Sequence, residues 1–283
     1  MTKYYYLVSS LADIVLDSGR RSQSPRQLFL FAMEQMKPRD FEQVRQLFLF
    51  NDIKNAVFLY FNKKQKQEDY ALPAYYDEVT FNENLQEPNL FLPFLAKFYE
   101  MKKAGIRMYP ELPETDALTS LFYEDLEDFT TADGFLRAYF YFELNLRNIC
   151  TAIAFRKNGL DLTGKLIPRG GAYETISKNE SASDFGLTNE FPFVGRLITL
   201  SQQTQLLDFE KALEDIRWNW LDERVGDDYF STEAVLAYFV KLNSVHRWEE
   251  LSKETGDELF NGIVNNIKRS IRFSIEFITT GDK

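Results

Sequence analysis

The chain has 283 residues, of which 45% are hydrophobic and 16% aromatic, enough to bury one large core or two to three smaller ones without disulfide or metal staples. Only 13 Gly and 9 Pro argue against an all-β architecture of many tight turns, and 26 Phe with 15 Tyr point to packed helices. A net charge of −10 argues against general nucleic-acid binding, and a single Cys excludes an internal disulfide or a multi-cysteine zinc site, so a reducing compartment is expected.

The expected fold class is all-α. Tyr4–Leu16 reads as a first helix, and Ser9, Ser10, Asp13 and Asp17 make it a poor signal peptide. A polar turn from Ser18 to Pro25 leads into an apolar segment Leu28–Met36. Pro38 and Asp40 mark the next helix start, and Phe41, Val44, Leu47, Phe48 and Phe58 supply apolar faces up to Phe61. Asn62–Asp69 reads as a loop, and Leu72–Pro93 as irregular structure with one short helix at most. Phe94–Lys103 is helical and ends before Gly105. Pro110 and Pro113 break the chain again, and Thr115 is a candidate cap for a helix from Asp116 to Phe129.

The longest periodic segment is Ala132–Lys157. Phe135, Tyr139, Phe142, Leu146, Ile149 and Ile153 recur at spacings of three and four and form one apolar stripe. Glu143 stands four residues before Arg147, the spacing of a helical ion pair. Arg156 and Lys157 occupy the last turn, and Asn158-Gly159 offers a left-handed cap. Residues 174–196 open as a loop and continue into a helix near Pro192 or Phe193. Leu206–Leu221, Thr232–Asn243 capped by Ser231, and a segment from about Asp257 to Thr279 complete the helical succession. No apolar run approaches the ~18–20 residues that span a bilayer, so a cytoplasmic protein without a direct membrane span is expected.

Charge is unevenly spread. Residues 1–66 carry 11 Lys and Arg against 6 Asp and Glu, a local +5, which leaves −15 on the remainder. Solvated faces of uneven sign and a basic docking face for an acidic partner are both compatible with this. Residues 45–63 also resemble 138–157, with Asp52-Ile53-Lys54-Asn55 aligned on Asn145-Leu146-Arg147-Asn148. A third echo lies at Tyr238, Phe239, Leu242, Asn243 and Arg247. Chance matching of Phe-rich helices competes with genuine repetition.

Catalytic constellations are sparse. His246 is the only histidine, Cys150 falls between Ile149 and Ile153 and reads as a buried thiol, and a His-rich metal site is excluded by count. Glu124, Asp125, Glu127 and Asp128 form the one acidic cluster, to be read either as a solvated helix face or as part of a cation site in an all-α enzyme. The Gly-Gly of IPRGGAY is not followed by the Lys and Ser or Thr of a phosphate loop, and Gly164-Lys165 fails the same test, so no cofactor is expected.

Within 135–173, Asn145, Leu146, Arg147 and Asn148 lead through Arg156, Lys157 and Gly159 to Leu166, Ile167, Pro168, Gly170 and Gly171. This pattern resembles the C-type coupling subunit of the V/A-type rotary ATPases, the d-type subunit of eukaryotes, in its divergent bacterial branch. The opening YYYLVSSLADIVL is similar to that family's Tyr-rich first helix, and the chain is shorter than archaeal members. The resemblance implies three related helical lobes around a pseudo-threefold axis, with limits near 1–105, 106–200 and 201–283. It also implies a non-catalytic coupler between the central stalk and the membrane proteolipid ring, peripheral to the inner membrane, with no nucleic-acid partner. Arg147, Arg156 and Arg169 are the expected partner contacts, and Asn145, Asn148, Lys157, Gly159, Pro168, Gly170 and Gly171 the expected structural residues. The competing readings are the acidic-site enzyme and a helical scaffold with an unrelated partner.

Overall fold

Proline sets the start of three helices. Pro25, Pro38 and Pro93 each stand in the first turn, where the missing N–H costs no helical hydrogen bond. The computed structural model describes residues 2–16, 23–61, 70–203 and 206–253. Among them run α1 (Tyr5–Ser9), α2 (Pro25–Gln35), α3 (Pro38–Leu47), α4 (Leu49–Phe61), α5 (Glu78–Asn84), α6 (Pro93–Lys103), α7 (Glu114–Phe129), α8 (Phe135–Lys157), α9 (Gly171–Lys178), α10 (Val194–Ser201), α11 (Leu206–Val225) and α12 (Thr232–Lys253). Helix accounts for 66% of the described residues, roughly twice the ordinary share, and no strand occurs among them beyond one isolated Lys3–Ser231 bridge. The fold is all-α.

Several boundaries depart from the sequence-based expectation. The first helix is only five residues long, because Ser10 turns its hydroxyl back onto the Leu7 carbonyl at 2.6 Å and ends it. Phe48 separates α3 from α4, its N–H bonding to Arg45 in a tighter turn. Thr115 lies inside α7, which starts at Glu114 behind Pro113, and is no cap. Helix α8 starts at Phe135, just past Gly134, and α9 occupies a stretch that read partly as loop. Helix α12 continues past Asn243 to Lys253, so His246 sits within it. Ser231 caps α12 as expected, its Oγ accepting the Ala234 N–H at 3.1 Å. At the end of α8, Gly159 takes φ +63° and Leu160 N–H reaches the Phe155 carbonyl at 2.9 Å, the left-handed cap anticipated there. The expected loop Asn62–Asp69 and the segment Asp257–Thr279 lie outside the described residues.

Buried apolar side chains gather into two cores. The first holds Leu28, Phe48, Phe94, Phe122, Phe140 and Phe239, so α2–α4, α6, α7, the first half of α8 and α12 share it. Phe122 is its hub, with ring centroids 5.3, 5.4 and 5.0 Å from Phe50, Phe94 and Phe140 in tilted or edge geometry. The second core holds Leu146, Ile149, Ile153, Ile176, Leu187 and Leu197. Helix α8 passes through both and changes core between Leu144 and Leu146. Because α8 is enclosed on two sides, Leu136, Phe140 and Leu144 are buried along with Phe135, Leu146, Ile149 and Ile153 of the stripe, and so is Asn148.

Candidate functional site

Helix α8 carries a polar latch on its enclosed length. Asn148 is 1% exposed. Its Oδ1 accepts the Ile167 N–H at 3.0 Å, while its Nδ2 donates to the carbonyls of Ile167 at 3.0 Å and Arg169 at 3.3 Å. One turn earlier, Asn145 Oδ1 accepts the Ala172 N–H at 3.0 Å, satisfying an orphan donor in the first turn of α9. Two amides spaced by three residues thus hold both ends of the Ile167–Ala172 segment. Gly170 lies between them with φ +88°, where a Cβ would stand 2.8 Å from Asn145 Oδ1. A Cβ on Gly171 would stand 2.6 Å from a Glu190 carboxylate oxygen, so that anion sits over the positive end of α9. The two halves of the sequence motif are therefore one hydrogen-bonded unit.

The same device recurs on α4. Asn55 Oδ1 accepts the Ala71 N–H at 2.8 Å, and its Nδ2 donates to the Ala71 carbonyl at 3.1 Å. Asp52 accepts the N–H groups of Tyr75 at 2.7 Å and Tyr76 at 3.0 Å. In each copy the second polar residue clips a loop just ahead of a proline, Pro73 or Pro168, and the first accepts N–H groups beyond it. The alignment of Asp52–Asn55 with Asn145–Asn148 is thus matched by a shared hydrogen-bonding role. In the third echo Asn243 lies within α12, and the segment that follows the end of that helix is outside the described residues.

Pro168 of the latched segment lines a cleft of about 360 Å³ together with Leu166, Tyr173 and Ile176, the loop Met108–Leu112 and Leu162–Gly164. The acids Glu111 and Glu180 are the only charged side chains in its lining. In the sequence Pro110 and Pro113 read only as a break, and no local pattern signals that Met108 and Tyr109 reach the motif segment.

The three arginines have unequal roles. Arg147 pairs with Asp116 on α7 rather than with Glu143, a correction to the i,i+4 reading. Glu143 instead holds Arg217 of α11 through Nε at 2.8 Å and Nη2 at 3.4 Å. Arg156 reaches from the last turn of α8 to the 180–185 loop: Nη1 donates to the Ser183 carbonyl at 2.7 Å, Nη2 to that of Glu180, and its guanidinium lies 3.3 Å from the Phe185 ring centroid. Arg169 is half-buried, and its charge acts on Tyr109, Glu124 and Asp125. Lys157 is exposed in the last turn of α8.

Glu124 accepts Lys97 Nζ at 2.6 Å and the Tyr109 hydroxyl. Burial raises its carboxyl, but these two hydrogen bonds and the charges of Lys97 and Arg169 outweigh burial and leave it below the usual carboxylate range. Its oxygens are thus engaged by donors. No group of three His, Cys, Asp or Glu side chains converges as a metal site among the described residues. Cys150 is partly buried, and loss of water pushes its thiol up to about 12, so it stays protonated at neutral pH. No helix among the described residues is long and apolar enough to cross a membrane.

No curated protein and no solved structure matches the chain. Residues 1–271 match the family described as "Protein of unknown function (DUF2764)", a span that covers the latch, its α4 counterpart and the cleft, and the chain therefore belongs to the DUF2764 family.

Proposed function

We propose that this protein is the C-type (in eukaryotes d-type) coupling component of a bacterial V/A-type rotary ATPase, linking the central stalk to the membrane proteolipid ring without catalysing a reaction itself. The observation that carries this reading is the latch. The residues that resemble the family's pattern, Asn145 and Asn148 on one side and Ile167 to Gly171 on the other, work as a single mechanical unit. A torque-transmitting body needs stiffness, and a pair of amides locking a loop to a buried helix supplies it, as do the edge-packed aromatic rings of the first core. The recurrence of the device on α4 supports repeated lobes, and the pseudo-threefold arrangement belongs to the same proposal. ATP is hydrolysed on other subunits and the protein is held at the inner membrane through the complex.

The acidic-site enzyme is disfavoured because Glu124 is engaged by Lys97 and Tyr109. The test is affinity purification of the tagged protein from gently solubilised native membranes at low and physiological salt. Catalytic, stalk and proteolipid components of a rotary ATPase are expected in the eluate. An eluate without them overturns the assignment.

A further inference from the structure

We propose that the cleft between Met108–Leu112 and α9 binds an apolar segment of a partner protein that is flanked by Lys or Arg residues. The walls are apolar and fixed: Leu112, Leu162, Leu166 and Ile176 are at most 7% exposed, and Leu166 adjoins the segment latched by Asn145 and Asn148. One lining side chain is apolar, exposed and adaptable: Met108 is 42% exposed on an unbranched thioether, and Ile106 and Leu160, each two residues before a lining stretch in sequence, are 57% and 43% exposed. A volume of about 360 Å³ has room for large side chains.

The rim selects the partner's charge. Glu111 and Glu180 line the cleft, Asp161 is joined in sequence to Leu162, and Asp184 shares Arg156 with Glu180. Lys165 is shared by Glu111 and Asp161. Two carboxylates thus line the cleft and two more adjoin its lining, in sequence or through Arg156, with two cations divided among the four. Asp161 and Asp184 are held below the usual carboxylate range by hydrogen bonds from Thr163 and Thr188 respectively, so their charges persist. A basic-flanked apolar segment satisfies both features, whereas an acidic-flanked one meets like charge. Recognition of this kind does not require the coupler role.

The test uses the full chain and two fluorescein-labelled synthetic peptides that share a Leu-Trp-Leu-Leu centre, one flanked by lysines and the other by glutamates. At physiological salt the lysine-flanked peptide should bind saturably and about tenfold or more tightly than its acidic counterpart. Met108→Arg, and separately the exposed pair Glu111→Lys with Glu180→Lys, should each weaken that binding by about tenfold. Glu83→Lys with Glu87→Lys makes the same change in net charge at exposed positions on α5 and just after it, and should leave binding within about twofold. If Met108→Arg does not fold, the glutamate pair alone decides. The proposal is overturned if neither peptide binds, if both bind alike, or if the cleft pair and the α5 pair weaken binding equally.

Discussion

Gly170 adopts φ +88° and ψ 159°, a region in which residues other than glycine are strained by ~1–3 kcal/mol. A side chain there would also press on Asn145 Oδ1 at 2.8 Å and Leu144 Cδ2 at 3.3 Å. Gly105 is the comparison without a collision, because it has φ +69° but nothing within 4 Å of a Cβ. In denaturant titrations Gly170→Val should therefore destabilise more than Gly105→Val, the excess combining the glycine-only backbone region with the collision at the latch. Equal losses would mean that neither term operates at Gly170. Asp52, the latch residue on α4, tests a different property. It has no solvent exposure, and burial raises its carboxyl to about 7 against the hydrogen bonds of Tyr76 and Tyr75. The folded chain then retains a proton that the unfolded chain releases near 3.8, so this contribution to stability is full below about pH 4 and is lost as pH rises toward 7. The stability difference between the parent and Asp52→Asn should fall by up to about 1.4 kcal/mol per pH unit inside that window and level off above it. A difference independent of pH would mean an aspartate ionised throughout.

Between elements, a partly buried polar tie runs from α8 to α11. Arg217 and Glu143 have side-chain exposures of 19% and 17%, and Arg217 also meets Glu214, whose side chain is 1% exposed, at 3.0 Å. Burial disfavours the charge on Arg217, but the two glutamates hold it well above the ordinary arginine value. Removing the guanidinium leaves buried carboxylates without that partner, and Arg217→Met should cost ~3–5 kcal/mol by chemical denaturation. Adding Glu143→Gln should recover part of the loss. A loss below ~1 kcal/mol would mean that the pair is hydrated like a surface bridge. This contact was invisible in the sequence. Helical periodicity revealed α8 and its Gly159 cap because both depend on neighbours within one or two turns, whereas Glu143 has Arg147 at helical spacing and Arg217 74 residues away. Geometry chose the distant partner. Asn148 was legible as a motif residue but not as a buried one, since its burial depends on the loop that returns across α8. The eight-residue α9 was hidden for a similar reason: its first turn is held by Asn145, with the Glu190 carboxylate beside Gly171, and not by a capping side chain of its own. The cleft was least legible, because the Met108–Leu112 loop meets the motif only through tertiary packing.

At the scale of the whole molecule, the −15 carried by residues 67–283 surrounds a few basic side chains that were candidates for partner contact. The ties of Arg156 to two carbonyls and the Phe185 ring bind the end of α8 to the 180–185 loop, and its reversal would test folding before docking. Arg147 and Arg169 can be separated. Arg147 is 39% exposed and paired with Asp116, a surface pair of the kind worth about 1 kcal/mol or less, so exchanging the two charges as Asp116→Arg with Arg147→Asp should preserve stability within ~0.5 kcal/mol. If Arg147 acts only inside the fold, the exchanged protein should also capture rotary-ATPase components as the parent does. Arg169→Glu should likewise leave the fold intact but weaken capture, most at low ionic strength, with the gap closing as salt screens the interaction. Capture weakened by the exchange and not by Arg169→Glu would move the docking face to the α7–α8 side. If neither change affects capture, the basic-contact assignment fails while the latch and the coupler reading stand apart from it, because they rest on hydrogen bonds that neither variant touches.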